Sequence, residues 1–454
     1  MVEVCRRAIA SRRAPAHLIG MQWGSDSVPG MFYWSNTQAV PLVGLYESWN
    51  PDVIRQHALW LMDIGVDFIF ADWPIYIPPD AEGKQRWRNR GEGANQQVHV
   101  TALTLEVYAQ LRDEGYPVPA LVIMPFLSNG PSNTKETVNE QLEWLHDYFI
   151  RNPRYRDLWV MHDGKPLVVL LHNAGTPADQ MPGPPIDETH FTVRYMAAQL
   201  QANHMERHGY WSWMDGSPEP IVTFRDGKPE VVTPHAANFG LRMWLAEDAG
   251  ARRNGTTYVR SFKPAFEHRP RYVLLHQWNE FTGQMEGFGY NDNALYGDSY
   301  SVELSDDIEP VSLTADGYRG DTGGWGLYYV NLSQALVAVY KQGDQPEDTI
   351  LAVCPPNHGQ VVSGDSIEIR WELAGKQPQS YTILLDGRAV ANDIQGVSYT
   401  LDLSRVGAGE HVLTVEAEGA VTRYLLQRDR IDVPLEEAIP VTVDVPFVWN
   451  GWKP

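Results

Sequence analysis

The chain contains only two cysteines in 454 residues, which leaves little scope for disulfides or for metal sites built from cysteine. Cys5 and Cys354 lie far apart and match no metal-ligand spacing, so we predict no metal site and favour unpaired thiols over a disulfide. A glycine-rich phosphate loop after the first predicted strand is also missing. The sequence therefore implies no cofactor.

Long apolar runs are missing as well. No stretch approaches the roughly 18 apolar residues that a membrane helix needs, and the Arg-rich segment 1–14 lacks the apolar region of a signal peptide. The sequence predicts a soluble protein with no membrane partner. It would be secreted or periplasmic if a leader has been trimmed, and cytoplasmic otherwise.

Positive charge is scarce. Lys and Arg number 36 against 57 Asp and Glu, which gives a formal net charge of −21. A surface of that sign repels nucleic acid, so no nucleic-acid partner is expected. A neutral or cationic ligand fits better, and the oligomeric state stays open.

Aromatic residues, by contrast, are plentiful: the chain has 16 Trp and 21 Tyr. Indole and phenol groups carry polar atoms that need partners when buried. Open grooves lined by such rings suit ligands with one apolar face and hydroxylated edges. The composition thus points to a carbohydrate partner, with a large aromatic core as the alternative.

Short apolar runs alternate with stretches of helical period from about residue 41 to residue 340. Predicted strands cover residues 41–46, 66–73, 119–126, 166–172, 210–215 and 272–278. Predicted helices cover residues 51–62, 97–114, 135–150, 188–208, 257–267 and 327–340. Asn50 and Pro51 mark the start of the first helix. Repeated strand–helix units predict a parallel sheet covered by helices, an α/β fold.

Polar and aromatic residues cluster where these strands end. They are Glu47, Asp72, Trp73, His172, Asn173, Trp213, Asp215, Asn279 and Glu280. A (β/α)8 TIM-like barrel carries its active site at that edge, which favours a barrel over an open doubly wound sheet. We predict the barrel over residues 1–345, with 221–235 as a hairpin excursion that turns at Asp226-Gly227.

The pattern changes after a polar linker at residues 342–348. Short alternating strands are predicted at 366–371, 381–385, 398–403 and 411–416, with a tight turn at Asp386-Gly387. This spacing predicts an all-β immunoglobulin- or fibronectin-like sandwich over residues 346–433. The apolar, proline-rich segment 434–454 is predicted to be a tail that packs on the barrel.

The densest chemical cluster runs from His276 to Gln284 at the end of the last predicted barrel strand. Strand alternation predicts that His276, Trp278 and Glu280 share the barrel-facing side, while Asn279 can swing toward the site where the strand ends. A carboxylate beside a Trp ring can act as general acid or base. The alternative is a buried Glu paired with an Arg.

Three segments resemble glycoside hydrolase family 99, which includes endo-α-mannosidases. They are Trp278-Asn279-Glu280, Ile308-Glu309-Pro310 and the helix-opening run Gly326–Leu332, preceded in the chain by Gly44–Ser48, Gly65–Asp67 and Ala71–Trp73. The similarity spans about residues 41–340. It implies a glycosidase acting through strand-end carboxylates, with Glu280 matching the family's first catalytic Glu.

The second catalytic Glu of that family falls on Gly283 here, which is a departure. Glu286, Glu303, Glu309, Asp72 and Glu47 are the candidates to replace it. Substrate contacts are predicted from Tyr46, Trp73, His172, Trp213, Asp215, His276, Trp278, Asn279, Gln284 and Glu286. The acidic run 306–309 is expected to be a solvated loop rather than a Ca²⁺ site.

These observations predict a glycoside hydrolase that cleaves an oligo- or polysaccharide. Two alternatives stay open. One is a carbohydrate-binding barrel that has lost its second acid, and the other is a lyase or hydrolase of a different polyhydroxylated polymer.

Overall fold

The computed structural model describes residues 17–23, 37, 39–73, 93–128, 133–172, 176–197, 208–238, 249–281, 301–317, 323–430 and 434–452. Its first ten strands form one mixed, mainly parallel sheet. They are β1 (Leu18–Trp23), β2 (Phe68–Trp73), β3 (Ala120–Leu127), β4 (Met161–His162), β5 (Lys165–His172), β6 (Thr192–Ala197), β7 (Trp211–Ser212), β8 (Thr223–Arg225), β9 (Lys228–Val232) and β10 (Tyr272–Leu275).

The sheet is nearly closed and has the form of a TIM-like barrel. Its strand order is β7-β6-β5-β3-β2-β1-β10-β9-β8, with β4 paired to β5. β7 comes close to the end of β9, where Thr233 Oγ1 donates a hydrogen bond of 2.7 Å to the Ser212 carbonyl. The carboxyl ends of the parallel strands therefore meet around one mouth.

Helices cover the outside of this sheet. They are α1 (Pro51–Ile64), α2 (Gly93–Asp113), α3 (Lys135–Leu145), α4 (Thr256–Ser261), α5 (Lys263–His268) and α6 (Tyr328–Lys341). The predicted start of α1 is confirmed, because the Asn50 side chain accepts from the amide of Asp52. The helix ends at Gly65, whose φ of 85° lies in the left-handed region that favours glycine.

Strand alternation divides the apolar residues into two layers. Phe68 and Phe70 belong to the cluster inside the barrel, whereas Ile69 and Ala71 belong to the layer between strands and helices. Gly20 faces inward, and a Cβ there would lie 2.5 Å from the Phe68 ring. A glycine at this position makes room for the large ring opposite it.

Several sequence predictions for the barrel were wrong. Residues 41–46 form turns with one bridge from Pro41 to Val311, and the first strand is β1, which the sequence analysis missed. Residues 192–197 form β6 inside the predicted helix 188–208, because their alternating side chains face the two layers in turn. The hairpin turn at Asp226-Gly227 is present, but β9 pairs in parallel with β10 and so belongs to the barrel.

Two smaller sheets follow the barrel. One has the order β11-β13-β16 and the other β12-β18-β17-β14-β15. Their strands are β11 (Thr349–Val353), β12 (Gln360–Val362), β13 (Ser366–Gly375), β14 (Ser380–Leu385), β15 (Arg388–Ile394), β16 (Ser398–Asp402), β17 (Gly409–Thr422) and β18 (Ile439–Trp449). Both sheets contribute side chains to one buried cluster, including Trp371 and Phe447. The immunoglobulin-like type of this pair stays a prediction.

The tail prediction needs correction. Residues 439–449, which the sequence analysis assigned to a tail on the barrel, form β18 and pair with β17 along most of its length. The apolar residues of that segment alternate, with Val441, Val445 and Phe447 buried in the cluster shared by the two sheets. Alternation of this kind is typical of a strand with one buried face.

Asp348 anchors the start of the C-terminal sheets. It is fully buried and 2.7 Å from Arg423 Nη1, and it accepts from the Arg423 amide and from Gln342 Nε2. Replacing it by Ala leaves these donors unpaired. We expect Asp348→Ala to lower the free energy of unfolding by about 2–3 kcal/mol, measured by urea denaturation.

The neighbouring Glu347→Ala is the matched control, because the Glu347 side chain is 79% exposed and exposed pairs contribute little. Equal denaturation midpoints for the two variants would contradict the anchoring role of Asp348.

Candidate active site at the barrel mouth

The segment 305–309 lies along the chain that leaves β10. The Gln277 amide donates to the Asp306 carbonyl at 3.2 Å, the Ile308 amide to the Gln277 carbonyl at 2.9 Å, and the Glu309 amide to the Trp278 carbonyl at 2.8 Å. These backbone bonds hold the Trp-Asn-Glu run at the carboxyl end of the barrel. The run 306–309 is therefore not the solvated loop that the sequence analysis expected: Asp306, Asp307 and Glu309 are each fully buried.

Glu280 is partly exposed at this edge. Its amide donates to Asp307 Oδ1, and Asp307 also accepts from Ser305 Oγ at 2.8 Å. Arg252 supports the same segment, since its Nη2 donates to the Asp307 carbonyl at 2.6 Å. The backbone of Glu280 is thus fixed while its carboxylate stays within reach of solvent.

Burial, together with the negative charge of Asp306, raises the pKa of Asp307 to about 7. The bond from Ser305, the charge of Arg252 and the amide of Glu280 act in the opposite direction. Burial and the charge of Asp306 outweigh these opposing effects because both carboxyl groups lie out of water.

Glu309 belongs to an internal network. Tyr46 donates to its Oε2 at 2.7 Å, and His57 Nε2 lies 3.1 Å from its Oε1. Asn279 Nδ2 in turn donates to the Tyr46 hydroxyl at 2.7 Å. Tyr46 and Asn279 are 6% and 5% exposed. These contacts connect the buried Glu309 to Asn279, the residue before Glu280.

A second buried group stands next to this network. His276 and Asp306 are almost fully buried, and their Nδ1 and Oδ2 atoms approach to 2.5 Å, out of hydrogen-bond alignment. The backbone of His235, which follows β9, forms a parallel β-bridge with the backbone of His276. Burial, together with the charge of His276, lowers the pKa of His235 to about 4. Trp213 meets His276 edge-on at 5.2 Å, so these rings line the upper interior of the barrel.

Asp72 has the inward parity of Phe68 and Phe70, and it is partly exposed at the end of β2. Met21 on β1 pairs with Ile69 on one side and with Leu275 on the other. β2, which carries Asp72, and β10, which leads to the Trp-Asn-Glu run, are therefore the two neighbours of β1. Glu47 lies on the loop before α1 and is exposed.

Two predicted ligand contacts face away from the mouth. Trp73 is 1% exposed, and its Nε1 donates to Thr101 on α2 at 2.9 Å. Trp278 is fully buried against His57 and Trp60 of α1. The parity argument for Trp278 was wrong because β10 ends at Leu275 and the chain turns after it.

His172 and Asp215 are also placed differently from the prediction. His172 is fully buried and edge-on to Tyr210 at 5.5 Å, on the helix-facing side of β5. Both oxygens of Asp215 accept loop amides, from Ser217 at 2.8 Å and from Ile221 at 2.7 Å. Burial raises the pKa of Asp215. Its contacts describe a residue that shapes a loop.

The remaining candidates are partly outside the described residues. Asn173, Gly283, Gln284 and Glu286 lie there. Glu303 accepts from the Arg253 amide at 3.2 Å. The sequence analysis missed Arg252, Asp307 and the contact of His57, since each acts through a partner more than 25 residues away.

No group of three or more His, Cys, Asp or Glu side chains in the described ranges is arranged to hold a metal ion. Among the described helices, none combines the length and apolar character that crossing a bilayer requires.

No protein-family profile matches the chain, and no curated protein sequence matches it. Among solved structures it is similar to a glycoside hydrolase family 99 endo-alpha-mannosidase from Bacteroides thetaiotaomicron, at 14% identity over 71% of this chain and 97% of that one, with a TM-score of 0.46. It is also similar to an endo-beta-1,4-mannanase from Thermotoga petrophila, at 10% identity over 95% and 98%, with a TM-score of 0.41. Values this low assign no activity, so the function must be judged on the site's own residues.

The pH dependence of stability follows from Asp307. Its carboxyl has a pKa of about 7 in the folded chain against an ordinary value of 3.8. The unfolded chain ionises first, so this group's stabilising contribution is complete below pH 3.8 and is lost as pH rises to about 7. We expect Asp307→Asn to flatten the decline in melting temperature over that window. Asp344→Asn, at an 88% exposed carboxyl, should leave the wild-type slope, and an equal slope in both variants would refute the role of Asp307.

Proposed function

We propose that the barrel is a glycoside hydrolase in which Glu280 is a catalytic carboxylate and Asp72 is the first candidate for the second. One observation carries the proposal. Glu280 is a partly exposed carboxylate at the carboxyl end of β10 with its backbone fixed by Asp307, and Asp72 has inward parity at the same edge two strands away. Active sites of (β/α) barrels are built at that edge.

The placement of these two acids on neighbours of the same strand supports the proposal. Glycoside hydrolysis needs a proton donor at the leaving oxygen and a second carboxylate that acts on water or on the sugar. The two carboxyl groups lie about 5–10 Å apart in such enzymes. β2, which carries Asp72, and β10, which leads to Glu280, both pair with β1, so the two acids follow strands that are separated by one strand of the sheet.

The burial of the other acidic residues distinguishes their proposed roles. Glu309 is fully buried with both oxygens in contact with Tyr46 and His57, so we assign it a positioning role. Glu47 is exposed on the loop next to Tyr46 and is the second candidate for the partner of Glu280. The resemblance of Trp278-Asn279-Glu280 to the family 99 motif adds to the choice of Glu280.

A barrel that binds carbohydrate without cleaving it would use the same site. Gly283, at the place of the family's second Glu, favours this alternative. Release of product separates the two functions, because a binding protein returns its ligand unchanged. A screen of aryl glycosides and polysaccharides, with product identification by NMR, is the first experiment.

Glu280→Gln is the decisive variant. It keeps the shape of the side chain and removes its titration, so kcat should fall by about 10²–10⁴ while the substrate still binds. Asp72→Asn and Glu47→Gln, measured in the same assay, identify the partner by a comparable loss. Glu309→Gln should instead lower the melting temperature together with kcat, because it disturbs a buried network.

The control is Glu372→Gln, at a carboxylate on β13 outside the barrel sheet, which should retain wild-type turnover. If Glu280→Gln retains most of the wild-type kcat, the catalytic assignment fails. If the wild type binds a saccharide and releases no product from any substrate, the binding function replaces it.

The tryptophans give a separate test. Trp213 is in the inner cluster beside His276, so Trp213→Ala should weaken saccharide binding by about 1–2 kcal/mol. Trp73 packs between strand and helix, and Trp73→Ala should cost about 3–5 kcal/mol of folding stability. Calorimetric binding and urea denaturation of both variants measure the two effects. The opposite pattern, with affinity lost only in Trp73→Ala, would contradict this placement of the rings.

A further inference from the structure

A cavity of about 200 Å³ lies between α4 and the C-terminal sheets, away from the residues assigned to catalysis. Its lining residues are Arg253, Thr256, Arg260, Cys354, Pro355, Arg370, Trp371 and Glu372. Three arginines and one glutamate therefore contribute to the lining. In a chain with a net charge of −21, this is a local excess of positive charge.

The carboxylate in this lining already has a cation of its own. Glu372 Oε2 lies 2.7 Å from Lys263 Nζ. Arg370 pairs with Glu368 at 3.0 Å, but these side chains are 63% and 50% exposed, and exposed pairs are weak. The Glu303 carboxylate accepts from the Arg253 amide at 3.2 Å, so Arg260, which forms no ion pair among the described residues, is the arginine of this lining with the least compensation.

The thiol of Cys354 adds no negative charge to this lining. Burial raises the pKa of Cys354 to about 12, so the group is neutral at physiological pH. Its Sγ lies 3.1 Å from Asn357 Oδ1. Cys354 is therefore a neutral member of the lining.

Arg260 is the residue of this lining that points most directly to a bound ligand. Its Nε is buried and has no hydrogen-bond partner in the part of the chain that the structure describes. Buried donors of this kind are nearly always satisfied in native proteins, by protein, water or ligand. A guanidinium group matches the oxygens of sulfate, phosphate and carboxylate with paired N–H donors.

We propose that this cavity binds a small tetrahedral oxyanion, sulfate or phosphate, through Arg260 with Arg253 and Arg370. The volume suits such an ion with a few waters, since a water occupies about 30 Å³ in the liquid. The ion is either free or carried as an ester on a sugar. This site is independent of the proposed hydrolase function.

The test is isothermal titration calorimetry of the full chain with sodium sulfate and sodium phosphate at constant ionic strength. We expect saturable binding by the wild type and a loss of affinity of roughly tenfold or more in Arg260→Gln, since charge-assisted bonds are lost. Arg260→Lys keeps the charge without the paired donors and should fall between the two. Arg388→Gln, at an exposed arginine on β15, should bind like the wild type.

Two further arms complete the design. Melting temperatures without added anion show whether Arg260→Gln is folded, and Arg370→Gln replaces it if it is not. The affinity of a sulfated monosaccharide is compared with that of free sulfate, and the unsulfated parent sugar is the control. Tighter binding of the ester than of sulfate identifies a sugar ester as the ligand, and equal binding identifies the free ion. Absence of saturable binding by the wild type, or equal affinity in wild type and folded Arg260→Gln, would overturn the proposal.

Discussion

The backbone pairing between residues 277–280 and 305–309 is the constraint on which the candidate site depends. β10 ends at Leu275, so the Trp-Asn-Glu run has no neighbouring barrel strand to fix it beyond His276. The amides of Gln277, Ile308 and Glu309 provide that order through bonds to the opposite segment. A carboxylate on a rigid strand end can be held in a productive geometry, which a carboxylate on a free loop cannot.

This pairing places three carboxyl groups out of water within four residues, and each is compensated differently. Asp306 faces His276, Asp307 accepts from Ser305 and the Glu280 amide, and Glu309 accepts from Tyr46. Burying an unpaired charge costs several kcal/mol. An elevated pKa of Asp307 is the expected result where compensation is incomplete, because a proton on that carboxyl removes one of two adjacent charges.

The sequence predicted the parts of the fold that local pattern controls. The period of α1, its Asn50 cap and the turn at Asp226-Gly227 all follow from short-range chemistry. The sequence analysis placed β6 inside a predicted helix, because six alternating residues next to an apolar stretch are compatible with both the helical period and the strand period. The choice of Glu280 rested on its place after a strand and on the resemblance of its motif, and its role stays a prediction. The direction of Trp278 and the burial of Glu309 depend on where β10 stops and on contacts from Tyr46 and His57, which no local pattern encodes.

The segment 252–254 connects the site to the C-terminal sheets. Arg252 holds the Asp307 carbonyl and lies 3.9 Å above the Trp325 ring. Two residues on, Asn254 Nδ2 donates at 3.0 Å to the carbonyls of Val353 and Pro356, where β11 ends. A side chain that joins two parts of the fold in this way loses less conformational freedom on forming its hydrogen bonds when both parts are already rigid. The C-terminal sheets therefore contact the segment that holds Asp307, and through Asp307 this segment is connected to the backbone of Glu280.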